Sequence, residues 1–330
     1  MKITCKNLII SVVILFSYFN QASLAFEPLT TPDRDTMILY DDEENTEDEI
    51  KLGKQLFFDK RLSINFSQSC ASCHMPSKGF SDGVSKGKGA KNNPLGRNSP
   101  HLYNLAWSSV LMWDGREETL ESQALGPIRS EHEMMLPIAT LLKRLEQVPA
   151  YKKQFVSVYA TDNIVEEEIG RSLAAFQRTI IVDNTPFDKY LAGDTQAMTK
   201  SAVRGLELFQ TKGNCVACHD GANFTDDSFH SLGFSDNDAG RGAISGDKTQ
   251  YGAFKTPGLR NIEFSSPYMH GGSLASLEMV IDYYNRGGGG AKHTSSIISP
   301  LALSGEEKTD LVNFLLSLSQ PLNIKAPSIP

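Results

Sequence analysis

Apolar positions recur along this chain mainly at helical spacing. Between Ile164 and Ile181, the residues Ile164, Ile169, Leu173, Phe176 and Ile180 fall near a 3.6-residue period and predict a helix. From Ser304 to Leu318, Leu311, Phe314, Leu315 and Leu318 share one face, and Ser304 is placed to cap the start. Leu277, Val280, Ile281 and Tyr284 make a third stripe of the same kind. No segment sustains two-residue alternation, so the fold class expected is mainly α. Gly193–Thr199 reads as a linker and Gly287–Gly290 as a loop.

The N-terminus breaks this pattern. Leu8–Phe19 is an apolar run preceded by Lys2 and Lys6 and followed by Ser23-Leu24-Ala25, which together read as a secretory signal peptide over residues 1–25. An uncleaved anchor is the rival reading of the same run. Export would place the protein in the periplasm. Cleavage would leave 305 residues and move the formal charge from −7 to −9. An acidic chain with no basic cluster argues against nucleic-acid binding. The acidic run Asp41–Glu49 reads as a solvated lead-in to the first helix, without a catalytic role.

The helical pattern also repeats. Gly53-Lys54-Gln55-Leu56-Phe57 has a counterpart in Gly205-Leu206-Glu207-Leu208-Phe209, and Gly79-Phe80-Ser81-Asp82 in Asn223-Phe224-Thr225-Asp226. Inside each pair lies a Cys-x-x-Cys-His motif, Cys70–His74 and Cys215–His219. This is the attachment signature of a covalent c-type haem: two thiols add to the vinyl groups and the adjacent His reaches the iron. A zinc site or a redox disulfide is the competing reading of Cys-x-x-Cys. The two motifs stand 145 residues apart, both carry the His, and the only other cysteine is Cys5, inside the leader. The expectation is two c-type cytochrome domains in tandem, 26–193 and 194–330, each with one haem c. The first would carry an insertion over about Gly83–Tyr190. His230 and His293 read as surface residues.

Around these motifs the chain resembles the bacterial di-haem cytochrome c peroxidase and MauG family. The resemblance rests on Pro94–Pro100, Met112-Trp113-Asp114-Gly115-Arg116, Glu121–Ile128, Lys255–Asn261, Pro267–Ser273 and Ile281–Gly288. It implies a peroxide-reactive haem with proximal His74, an electron-relay haem with proximal His219, and Trp113 between them. Gln123 matches the distal glutamine and Glu133 the distal glutamate, with Glu131 and His132 as nearby alternatives. A calcium ion between the haems would be held at Asn98, Ser265 and Pro267.

Two departures bear on function. The glycine-rich loop Ser85–Asn92 has no His, and Ala90 stands where many members place a ligand to the resting reactive iron. That iron is expected open or water-bound. The distal ligand of the second iron, a Met in the peroxidase branch, falls on Tyr284, as in the MauG branch; Met269 and Met279 are rivals. The resemblance implies reduction of hydrogen peroxide with electrons from a small cytochrome c or copper protein. The alternative is a MauG-like enzyme that oxidises residues of a partner protein, and the remaining one a simple electron carrier. Gly213 replaces the surface tryptophan through which MauG serves its partner, which argues against that particular reaction. A homodimer stays open as the assembly.

Overall fold

A computed structural model describes residues 26–330. The leader read over residues 1–25 lies outside them. Eleven α-helices are assigned among the described residues: α1 Glu47–Phe58, α2 Cys70–Cys73, α3 Leu120–Arg129, α4 Ile138–Glu146, α5 Pro149–Tyr159, α6 Glu166–Arg178, α7 Pro186–Leu191, α8 Lys200–Gln210, α9 Arg241–Ser245, α10 Leu277–Asn285 and α11 Gly305–Leu316. The described strands, β1 Phe229–Ser231 and β2 Ala253–Lys255, form one antiparallel pair. No described helix is long and apolar enough to cross a membrane.

The periodic segments fold where their patterns place them. The Ile164–Ile181 stripe becomes α6, and Ser304 caps α11 by accepting from the Glu307 amide. The Leu277 stripe becomes α10, capped by Ser276.

The repeat has a physical cause. Gly53 on α1 lies against the backbone of α6, where a Cβ would overlap the Ser172 carbonyl oxygen; Gly205 on α8 lies the same way against Asp310 of α11. The missing side chains let each helix pair cross at backbone contact. One turn further on, Phe57 meets Phe176 edge-on at 5.0 Å, and Phe209 meets Phe314 at 5.0 Å. Two apolar clusters follow. One is built around Leu52, Phe57, Leu173 and Phe176, the other around Phe209, Phe224, Leu311 and Phe314. Because α6 is half of the first helix pair, it belongs to the first unit's frame, although it falls within the span read as an insertion. Helix α7 gives Phe187 to the second cluster.

The chain ties the clusters together at both ends. Arg260, 1 % exposed, pairs with Asp188 at 2.9 Å and donates to the Thr30 and Ala222 carbonyls. After α11 the tail returns to the first unit: Leu322 and Ile324 pack on its cluster, Gln55 donates to the Ser328 carbonyl, and Arg61 to that of Pro330.

Candidate haem sites

Each Cys-x-x-Cys-His motif opens on its own cavity, of about 670 Å³ in the first unit and 350 Å³ in the second. Cys70, Cys73 and His74 line the first; Cys215, Cys218 and His219 line the second. The four thiols are free and lie in two separate places, which excludes one shared four-cysteine zinc site. In each motif the His amide bonds back to the first Cys carbonyl, at 2.9 and 2.8 Å. His74 Nδ1 donates to the Phe80 carbonyl at 2.9 Å and His219 Nδ1 to that of Phe224 at 2.9 Å. Phe80 and Phe224 take left-handed backbone (φ 55 and 57), which turns those carbonyls toward the rings. Burial holds both imidazoles below the ordinary histidine pKa, so they are neutral. With Nδ1–H engaged, Nε2 carries the lone pair, as a metal-binding His requires.

The helices that line the two cavities differ. In the first unit α3, capped by Thr119, presents Gln123, Ala124 and Pro127 to the cavity. In the second unit α10, capped by Ser276, presents Val280, Ile281 and Tyr284. Pro127 and Tyr284 each stand eight positions past their N-cap, so the same place in the repeat holds a residue with no donor atom in one unit and a phenol in the other. Burial pushes the Tyr284 hydroxyl above the ordinary tyrosine range, so a phenolate there needs a facing cation. Met279 is 44 % exposed and does not line the second cavity, whereas Met269 does.

Gln123 Oε1 is buried without a partner, while its Nε2 approaches Met112 Sδ at 3.7 Å. An orphaned acceptor of this kind in a cavity marks room for a donor. Glu133 lines the same cavity, and burial raises its carboxyl above the ordinary value against the opposing pull of Arg116, Ser130 and His132. The loop without a His supports it: the Ala90 amide donates to the Glu133 carbonyl at 2.7 Å. Of the alternatives, His132 lines the cavity but is exposed, and Glu131 is exposed and off it.

Trp113 lines both cavities. Its Nε1 donates to the Asn98 carbonyl at 2.9 Å, its own carbonyl accepts from the Lys255 amide at 2.8 Å, and its ring meets His270 edge-on at 6.4 Å. The buried Asp114 beside it pairs with Arg97 and Arg116. His101 also lines both cavities; burial pushes it down to about 4, and its Nε2 donates to the Gly258 carbonyl at 3.0 Å. Asn98, Ser265 and Pro267 line the second cavity together.

His230 departs from the surface reading. It is half-buried, lines the second cavity, and bonds Asp226 at 2.8 Å, which with Cys218 nearby pushes its pKa up to about 10. Strand β1 draws it inward, a three-residue pairing too short to register in the sequence. His293 is exposed. Sequence reasoning also gave Pro127 no role; aligning Thr119-Leu120 with Ser276-Leu277 would have exposed its correspondence to Tyr284.

The family described as di-haem cytochrome c peroxidase matches residues 47–196. The chain is 43% identical over 284 residues to the methylamine utilization protein MauG of Methylophilus methylotrophus, covering 84% of this chain and 85% of that one. It is 37% identical over 316 residues to the cytochrome-c peroxidase IdrP2 of Denitromonas iodatirespirans, covering 86% and 85%. Among solved structures, a MauG-like protein associated with microbial copper homeostasis superposes with a TM-score of 0.79 at 30% identity, over 91% of this chain and 95% of that one. The diheme peroxidase BthA from Burkholderia thailandensis, at 20% identity and a TM-score of 0.72, shares the fold over 89% and 95%. With two haem-attachment motifs opening on two cavities and these relatives spanning most of its length, the chain belongs to the di-haem cytochrome c peroxidase and MauG family of oxidoreductases.

Proposed function

We propose that this protein is a periplasmic di-haem peroxidase that reduces hydrogen peroxide to water with electrons from a small cytochrome c or copper protein. The observation that carries this reading is the asymmetry of the two cavities: an orphaned Gln123 acceptor, a half-buried Glu133 and a donor-less Pro127 face the first, and a phenol faces the second. Two haem c groups, bound through Cys70, Cys73 and His74 and through Cys215, Cys218 and His219, would supply the redox chemistry. Pro127 brings no donor atom to the first cavity, so a haem iron held there by His74 would keep a site for peroxide. Gln123 Oε1 accepts a hydrogen bond from peroxide and orients it. Glu133, as carboxylate, takes the proton from one peroxide oxygen and returns it to the other, so that the leaving oxygen departs as water. Trp113 lies between the two sites and offers the path for electrons from the second to the first. Tyr284, with Met269 as rival, would be the further protein ligand to iron in the second cavity. A calcium ion, as a hard cation, would be held by oxygens of Asn98, Ser265 and Pro267.

The MauG-like alternative, oxidation of residues in a partner protein, is favoured by one observation. A hard phenolate at Tyr284 would stabilise the more oxidised states of the second centre, where a thioether would not. Gly213 weighs against the particular reaction of MauG. The deciding experiment mixes the diferric holoprotein with peroxide and a reduced small cytochrome, without prior reduction. Sustained turnover supports the peroxidase. Negligible turnover beside a long-lived oxidised state two electrons above diferric supports the MauG-like role, and six-coordinate, peroxide-inert haems would overturn both.

A further inference from the structure

The chain has two tryptophans, and both face the first cavity. Trp107 has no part in the reaction proposed above. It ends the single 3-10 turn Leu105–Trp107, which follows Asn104 in left-handed backbone (φ 56). The Asn104 side chain is bonded to both the amide and the carbonyl of Val182 and to Asn223, so the turn stands on a fixed base. The Trp107 ring forms part of the cavity wall. Its Nε1 reaches the surface, donating to the Asp33 carbonyl at 2.9 Å and to Thr36 Oγ1 at 3.1 Å, both exposed. One side chain thus runs from cavity to solvent.

The second unit supplies a comparison. Asn261, also left-handed (φ 56), begins the matching turn Ile262–Phe264. That turn ends on Phe264, which is 41 % exposed and does not line the second cavity. At the same position the first unit has an oxidisable indole in contact with its cavity, and the second has a ring that resists oxidation.

We propose that Trp107 is a surface redox port of the first centre, through which a one-electron reductant in solution delivers electrons without passing the second centre. The proposal rests on the peroxidase reading. Reducing one peroxide to two waters consumes two electrons and two protons. In each port step Trp107 loses one electron to the oxidised first centre and its Nε1 proton to solvent beside Thr36. The external reductant returns the electron, and solvent returns the proton.

The test treats the diferric holoprotein with stoichiometric peroxide and no reductant, freeze-quenches it for electron paramagnetic resonance, and maps oxygen adducts by peptide mass spectrometry. Wild type, Trp107→Phe, Trp107→Tyr and Trp113→Phe are compared, with the Soret band recording the peroxide reaction itself. The expected result is an organic radical narrowed by ring-deuterated tryptophan and largely lost in Trp107→Phe. A tyrosyl signal should replace it in Trp107→Tyr, and adducts should build up on the Trp107 peptide unless hydroquinone is present. An unmarked Trp107 peptide and an unaltered radical in Trp107→Phe, with a normal Soret response, would overturn the port and leave the peroxidase reading standing. No Soret response in wild type would overturn both. If Trp107→Phe fails to retain two haems, the wild-type adduct map decides.

Discussion

Glu133 is the residue whose environment departs most from its sequence context. In the chain it is one of 39 acids; in the fold it lines the first cavity with a carboxyl raised by burial. Its base form is lost as pH falls through that raised pKa. The value of kcat/KM for peroxide should therefore fall on the acid side at a pH above the ordinary glutamate range. Glu133→Gln should remove that acid limb and slow the peroxide step by about 10²–10⁴-fold; an unshifted profile would take Glu133 out of the mechanism. At Tyr284, replacement by Phe removes the one hydroxyl the α10 stripe turns into the second cavity. The ferric low-spin spectrum of the second haem should change while the high-spin signal of the first stays. An unchanged low-spin signal would transfer the ligand role to Met269.

At the scale of elements, the two close helix crossings carry the architecture. Gly53→Ala or Gly205→Ala would force α1 from α6, or α8 from α11, and should cost about 3 kcal/mol, read as a lowered midpoint of thermal unfolding. Both glycines, and the phenylalanines a turn beyond them, were visible in the sequence as an internal repeat, because helix crossing imposes a local pattern. So were the haem motifs, whose chemistry is packed into five consecutive residues. The positions of His230, Trp107 and Pro127 were not. His230 is brought in by a strand pairing across more than twenty residues, and Trp107 takes its place from a left-handed Asn104 whose bonding partners lie near residues 182 and 223. Such placements depend on long-range contacts, and neither periodicity nor spacing encodes them. Pro127 was legible only through the register of α3 against α10.

Across the whole molecule, the two ends of the chain cross between the units: a buried charge pair in the second unit, Asp188 with Arg260, holds the Thr30 carbonyl, and the tail returns to the first. Burial alone would raise Asp188, but the Arg260 guanidinium and the Thr185 groups hold it below the ordinary carboxylate range. That contribution to stability is present above the unfolded Asp pKa and is lost as pH falls through the folded one. Arg260→Met would leave the carboxylate buried without its partner and should cost about 3–5 kcal/mol. Denaturant unfolding should show the loss, together with a flatter response to acid.

The tail clasps two distant parts of the chain. Residues 322–330 pack on the first cluster through Leu322 and Ile324 and hold Gln55 and Arg61, although the whole second unit lies between them in the chain. The first unit therefore completes this flank with a segment 273 residues beyond Gln55. The second unit has its own closing helix, since Leu311 and Leu315 of α11 line the cavity at Cys215, so cutting the polypeptide just after α11 would strip the flank of the first unit and spare the wall of the second.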